Sequence, residues 1–351
     1  MTLDDRLIYE LAEALRLIGF EAQRIEDDMP GGEGVDAYMD ISTPELVVKL
    51  AIEVKSSGFP RDIKAALYGM QRFMGSNAMP VIPVILAPII SPGARDVLKE
   101  HRVGYFDRSG SLYLSGRGIH IQIDKPLTKK QTRVASAIFV GRRAQVIHAA
   151  WVSDEEWFGV HELAERSGAS AATASQTLIA LEQQDFAESR GSGPAKQRRL
   201  KDRRVLLDAW SEQRARAKPL PLQRYYAPQI SPGAIAATLD EACRSLDTKY
   251  EVTGAAAGNI HAPHLTTVSR LECRLLPIMT GAVMDRIGAR PVQEGWNVGV
   301  IEAGSDIDFA FTERHGGFCI ADPLQCYLDL LQGSGRSKEL AAHLREVCLR
   351  V

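Results

Sequence analysis

Cysteine is scarce and poorly placed for bridging. The 351-residue chain has five, Cys243, Cys273, Cys319, Cys326 and Cys348, all in its last third, odd in number and never in a Cys-x-x-Cys pair. That argues against a disulfide framework and the common zinc modules, and predicts reduced thiols in a cytoplasmic protein. Long apolar runs are also lacking. The longest, Val81 to Ile90, contains Pro83 and Pro88 and is far too short to cross a membrane. The opening MTLDDRLIYELAEAL is amphipathic and acidic, so no signal peptide is expected. Excess charge of one sign is missing too. The net charge is −2, so any basic patch must be local and offset elsewhere. The hydrophobic fraction of 45% and charged fraction of 25% are those of a globular protein, and the length suits two or three domains.

What is present centres on Gly159 to Gln184. Val160, Leu163 and Ala164 have the spacing of one face of a short helix, and Ser167-Gly168-Ala169-Ser170 breaks it. Ala171 to Gln183 reads as a second helix with Ala174, Leu178 and Leu181 inward, which makes a helix-turn-helix. Ser170 can cap that helix through its hydroxyl. Ala172, Thr173, Ser175, Gln176 and Ile179 face outward. Small and hydroxylic side chains let a helix enter a major groove, and Gln176 can read adenine bidentately. Phe186 to Ser189 and Lys196 to Leu200 read as two strands around the Gly191–Pro194 turn, the wing of a winged helix. From Arg190 to Arg204 there are seven Lys or Arg and one acid, Asp202. Such density beside a groove-reading helix predicts phosphate binding, with Arg190, Lys196, Arg198 and Arg199 as contacts.

Ahead of this module lies a mixed α/β pattern. Leu3 to Ile18 is an amphipathic helix, Asp27 to Gly34 a Gly-rich turn, and Val35 to Ile41 alternates as a strand. Leu46 to Lys55 is a second strand, Ile63 to Met74 a helix, Val81 to Ile90 a buried strand, and short strands follow to Ile123. Residues two apart on a strand share a face, so Glu53 and Lys55 point together, as do Asp36 and Asp40. A carboxylate facing Glu-x-Lys can hold a divalent metal, while the Lys stabilises developing phosphate charge. Here the chain resembles the PD-(D/E)xK nuclease superfamily over roughly residues 1–125. Asp40, or Asp36, matches the first acid and Glu53-Val54-Lys55 the Glu-x-Lys. Gln71 matches a helical Gln, and Glu10 or Glu13 the acid of the first helix. The resemblance implies Asp40, Glu53 and Lys55 as catalytic residues, with Mg²⁺ on Asp40 and Glu53, if the domain cleaves; such domains also serve as non-cleaving scaffolds.

After the nuclease-like part, Thr128 to Ala150 reads as a connecting helix, Ser153 to Glu156 as the cap and first turn of another, and Trp157 as packing under the helix-turn-helix. Val205 to Ala217 is a helix and Lys218 to Pro221 a linker. Beyond it, Pro232 to Ser245, Asp322 to Leu331 and Lys338 to Leu349 read as helices; Tyr250 to Gly254, Thr267 to Leu275, Gly295 to Ala303 and Phe309 to Phe311 read as strands. Asp306-Ile307-Asp308 is similar to the acid pair of nucleotidyltransferases, but its Gly-Ser is adjacent instead of about ten residues upstream. The architecture expected is an α/β multidomain chain: a restriction-endonuclease-like domain (1–126), a winged helix with its connecting helix (127–218) and a C-terminal α/β domain (219–351).

Three strings together resemble AbiEi-family antitoxins of type IV toxin–antitoxin systems. They are Leu206-Leu207-Asp208-Ala209-Trp210 after the wing, Val252-Thr253-Gly254-Ala255-Ala256-Ala257 with Ala262-Pro263-His264, and Leu324 to Leu330 with Gly335-Arg336. The resemblance implies a transcriptional regulator that binds double-stranded DNA without a cofactor and represses its own promoter, beside a nucleotidyltransferase-like toxin. The nuclease-like first domain departs from that pattern. The leading expectation is therefore a sequence-specific DNA-binding regulator, for which a homodimer is one allowed assembly. A Mg²⁺-dependent DNA endonuclease targeted by the winged helix is the first alternative, and a nucleotidyltransferase the second.

Overall fold

A computed structural model describes residues 2–25, 35–76, 80–125, 137–229 and 231–351. It is a mixed α/β protein whose chain gathers into two compact units. One comprises residues 1–138 with Leu178–Ser189, the other residues 139–177 with 190–351. The expected boundaries near 126 and 218 therefore do not coincide with the compact units. The Gly-rich turn at 27–34 and most of the first half of the connecting helix lie outside the described residues.

The first unit is built on a seven-stranded sheet with its strands in chain order. Helix α1 (Leu3–Leu17) is closed at its start by a Thr2–Asp5 capping box. Strands β1 (Glu21–Ile25), β2 (Ala37–Thr43) and β3 (Leu46–Val54) run antiparallel. Helix α2 (Pro60–Ser76) crosses to β4 (Val81–Ala87), which is parallel to β3. Helix α3 (Pro92–Glu100) crosses to β5 (Gly104–Asp107), parallel to β4. Strands β6 (Leu112–Gly116) and β7 (Ile119–Ile123) return antiparallel.

Both faces of this sheet are covered. Leu50, Ile52, Ile82, Val84 and Leu86 pack with Leu7, Leu11 and Leu15 of α1. Ile85 and Ala87 pack with Ile63, Leu67, Met70 and Leu98 of α2 and α3. Double coverage is why β4 is a continuous apolar run rather than an alternating one. It also explains Tyr38, which joins Ala51, Phe73 and Val81 in the core despite its place on the polar side of the β2 alternation.

Beyond the sheet, a 3₁₀ turn (Ala137–Phe139) precedes α4 (Arg142–Trp151). Gly141, at φ 58°, separates the two, so the described part of the connector is no continuous helix. Helices α5 (Val160–Ser167) and α6 (Ala171–Gln183) follow, then a hairpin of β8 (Ala187–Arg190) and β9 (Gln197–Leu200), then α7 (Arg203–Arg216). Ser153 to Glu156 does not open a helix; Ser153 Oγ accepts the Glu155 N–H in a local turn, 3.3 Å away.

The second sheet also has seven strands. It is formed by β10 (Leu222–Tyr226), β11 (Tyr250–Thr253), β12 (Leu271–Leu275), β13 (Arg290–Pro291), β14 (Val298–Glu302), β15 (Glu313–His315) and β16 (Phe318–Ile320). Their order is β13-β10-β14-β12-β11-β16-β15, with β12/β14 and β11/β16 parallel and the other pairs antiparallel. Helices α8 (Pro232–Ser245), α9 (Gly254–His261), α10 (Pro277–Arg286), α11 (Pro323–Leu330) and α12 (Ser337–Leu344) complete it; α8 lies against α10, and α9 against α11 and α12. The strand expected at Phe309–Phe311 is instead the end of a 3₁₀ turn, Asp306–Phe309. No helix among the described residues is long and apolar enough to cross a membrane.

Candidate functional site

The helix-turn-helix forms as the spacing requires. Gly168, at φ 59°, is the left-handed residue that ends α5. A Cβ there would meet the Ile307 side chain at 2.9 Å, so the turn needs glycine both for its backbone and for its neighbour. Ser170 Oγ accepts the Thr173 N–H at 3.1 Å and caps α6. Ala174, Leu178 and Leu181 are buried, and Ala171, Ala172 and Gln176 are exposed. Thr173 and Ser175 are half-buried on the same outward side, and Thr177 turns in, its hydroxyl donating to Thr173 O at 2.8 Å.

The wing is organised by Trp157. Its ring carries the Arg190 guanidinium at 4.3 Å and the Arg199 guanidinium at 4.9 Å. Stacking fixes the planes of both cations. Arg190 also donates Nε and Nη2 to Gln197 Oε1 at 3.0 and 2.7 Å across the hairpin, and Arg199 pairs with Glu156. Trp157 thus seats two of the wing's cations. Arg198 points the other way. It is 5% exposed, and its backbone exchanges hydrogen bonds with Phe158 at 2.9 and 3.0 Å, so the structure gives it a packing position where phosphate contact was expected. Lys196 is half-buried. Asp202, the one acid of the basic run, caps α7 by accepting the Arg204 and Val205 N–H groups at 2.8 and 3.2 Å.

In the first unit the register sorts the acids. Asp40 lies opposite Lys49 on β3, with their charged groups 3.4 Å apart. The β2–β3 register ends with Ala37 opposite Ile52, and Asp36 precedes that last pair. Asp36 N–H donates to Ile52 O at 2.7 Å, and Asp36 Oδ2 accepts the Val54 N–H at 2.7 Å. Four residues of strand, about 13 Å, separate Asp40 from this point. The structure therefore ties Asp36 to the backbone of Val54, the residue between Glu53 and Lys55, and it leaves Asp40 with Lys49.

Glu53 is 5% exposed. One of its oxygens pairs with Lys55 Nζ, while Oε2 is buried with no hydrogen-bond partner. A buried carboxylate oxygen in that condition costs free energy that a cation or proton would recover. Glu53 lies near the carboxyl end of β3, opposite Ile85 of β4, the side on which open α/β sheets hold their ligands. Gly58 lets the next turn close over this edge: its backbone pairs with Ile90, and a Cβ would collide with the Ile89 carbonyl. Two carboxylates with a lysine suit a hydrated Mg²⁺, although no group of three or more His, Cys, Asp or Glu positioned for a metal occurs among the described residues. The helical matches lie apart in their bonding: Glu10 pairs with Arg6 and Arg108, Glu13 with Arg16, and Gln71 is exposed on α2.

Asp306 and Asp308 serve the chain locally. Asp308 Oδ2 accepts the Gly304 N–H at 2.6 Å, and the exposed Asp306 lies 3.6 Å from Lys249. What sequence reasoning missed is the buried centre of the second unit. Arg274 donates to Glu251 Oε1 at 2.7 Å and to both oxygens of Asp329 at 2.6 Å. Thr253 donates to Asp329 at 2.6 Å and Thr312 to Glu251 at 2.8 Å. Burial pushes the Glu251 carboxyl up from its ordinary value, against the pull of Arg274. Thr253 and Asp329 lie in two of the three strings singled out in the sequence, so those strings meet in space.

Compared with known proteins, the chain matches no family model, no curated protein and no solved structure.

Proposed function

We propose that this chain is a sequence-specific double-stranded DNA-binding protein of the regulator class, reading the major groove with α6 and holding phosphate with the wing. The observation that carries the reading is the division of α6. Ala174, Leu178 and Leu181 are buried, while Ala171, Ala172 and Gln176 stay exposed beside a wing whose Arg190 and Arg199 are stacked on Trp157. The small side chains permit close approach, Gln176 supplies bidentate readout, and the guanidiniums supply salt-dependent affinity. Regulation of its own promoter, as in AbiEi antitoxins with a nucleotidyltransferase-like toxin encoded nearby, is the form of this function that the shared strings favour. The test is anisotropy titration of the whole chain on the DNA upstream of its own reading frame against an unrelated duplex of equal length. Preference of about 10³-fold or more is expected at physiological salt. Equal affinity for both duplexes would remove the sequence-specific reading.

A second reading has its own observation, the unpartnered Glu53 Oε2, with Lys55 on the other oxygen and Asp36 held to the neighbouring Val54 N–H. Asp36 and Glu53 would hold a Mg²⁺ ion, which when bound supplies Lewis acidity at a phosphate. Lys55 is placed to stabilise charge developing there. Supercoiled plasmid incubated with the whole chain and Mg²⁺ is the test; nicking that persists in Glu53→Ala would exclude this cluster as its source.

A further inference from the structure

The second unit contains a cavity of about 430 Å³ lined by the 3₁₀ turn, the start of α4, the end of α7, and residues of β12 and α11. Its size suits a small organic molecule. Two of its lining side chains leave buried polar atoms unpaired: Arg214 Nε and Gln145 Oε1.

Each orphan has a cause. Arg214 reaches towards Asp329, but at 3.5 Å. The Asp329 carboxylate already accepts from Arg274, Thr253 and Gln325, at 2.6, 2.6 and 3.0 Å. A second cation there has no good acceptor left, and burial together with Arg274 lowers the Arg214 pKa from its ordinary value. Gln145 donates Nε2 to Asp308 Oδ1 at 3.4 Å, which sets the amide orientation and turns Oε1 away from the carboxylate. Between these polar atoms the wall is apolar. The Phe139 and Trp210 rings stack at 5.4 Å and 22°, and Leu328 adds to the lining. The exposed Lys218 stands among the lining residues as a third cation, beside Arg214 and Arg274.

We propose that this cavity is a binding site for a small aromatic carboxylate carrying a hydroxyl group. The carboxylate would accept from Arg214 Nε–H, with Lys218 adding charge; the hydroxyl would donate to Gln145 Oε1; the ring would lie against the aromatic wall. Two of these demands come from the single unpaired atoms of Arg214 and Gln145, and the third from the apolar wall. The site also joins two elements: α4 leads into α5 and α6, and α7 leaves the wing. The occupant is therefore an effector of DNA binding, a part that rests on the regulator reading above.

Isothermal titration of the whole chain with 4-hydroxybenzoate tests the site without DNA. Saturable heat at one per chain is expected, with the methyl ester and benzoate each at least about tenfold weaker because each lacks one polar group. Arg214→Gln should lose binding. Because Arg214 touches the buried network, Ala144→Leu serves as a second variant; it fills the cavity from α4 and should lose binding while melting like the parent. No saturable heat up to about 10 mM, or binding unchanged in both variants, overturns the proposal. The effector part is read separately: occupied protein should change its duplex affinity by about tenfold, and unchanged affinity overturns that part while the heats stand.

Discussion

Asp40 lies in β2 and Asp36 just before it, four residues apart, yet only one can serve the Glu53–Lys55 pair. Register gives that place to Asp36, whose carboxylate is tied to the Val54 N–H, and gives Asp40 to Lys49. Mg²⁺ should raise the melting temperature of the parent by mass action, and equally that of Asp40→Ala, but not that of Asp36→Ala or Glu53→Ala. An Asp40→Ala protein that loses the Mg²⁺ response would contradict the register argument. Arg274 holds two buried carboxylates. Arg274→Ala leaves Glu251 and Asp329 buried without their cation, and a loss of about 3–5 kcal/mol is expected in denaturant unfolding. Glu272 gives a pH test. Burial raises its pKa from an ordinary 4.5, with Asp329 adding, so its folded form binds a proton more tightly than its unfolded form. Its contribution to stability is full below the ordinary value and is lost as pH rises through the folded one. Glu272→Gln should therefore melt with the parent near pH 4 and a few degrees above it by about pH 8. A difference that shrinks as pH rises would reverse the sign. The thiols follow the same logic. Burial pushes Cys243 up to about 12 and raises Cys273 and Cys326 as well, so iodoacetamide should label these three only after unfolding.

At the scale of elements, the helix-turn-helix and wing depend on two joints. Gly168→Ala strains a left-handed backbone and presses a methyl on Ile307; a loss of about 1–3 kcal/mol is expected, with DNA affinity falling alongside stability. Trp157→Ala should separate the two effects. It frees Arg190 and Arg199 from one stacking surface, so binding to every duplex should weaken alike, with melting much less affected. Gln176→Ala should instead change preference among duplexes by about 1–3 kcal/mol at the base it reads. A Trp157→Ala protein with unaltered affinity and salt dependence would show that the stacked guanidiniums do not meet phosphate. Elements with strong local signals were legible in advance. Helix α8 was bounded by Pro232 and Ser245 in the sequence as in the fold, and the α6 cap was visible in Ser170. Strand β10 was not, because Leu222 to Tyr226 follows a proline-rich stretch and becomes a strand by pairing with β14 and β13. The Phe309–Phe311 misreading has a local cause: Asp308 satisfies the Gly304 N–H and closes a 3₁₀ turn where apolar residues suggested a strand.

For the whole molecule, the candidate groups divide between the units. Asp36, Glu53 and Lys55 belong to the first; Ala171 to Gln176, Arg190, Arg199 and the cavity at Arg214 belong to the second. Differential scanning calorimetry of the intact chain is expected to show Mg²⁺ raising one transition and duplex DNA raising another. One transition moved equally by both would show that the units unfold as one. The sequence by itself determined the mixed α/β class, the helix-turn-helix, the hairpin and most helix limits, because caps, glycine turns and apolar spacing act over a few residues. The tertiary structure decided which acid stands beside Glu53, where Arg198 goes, and how Arg274 is neutralised. It also decided that Gln145, Arg214, Arg274 and Asp308 surround one cavity. Those outcomes depend on strand register and on packing between residues far apart in the chain, where the energy of a side chain is set by neighbours that its own segment does not contain.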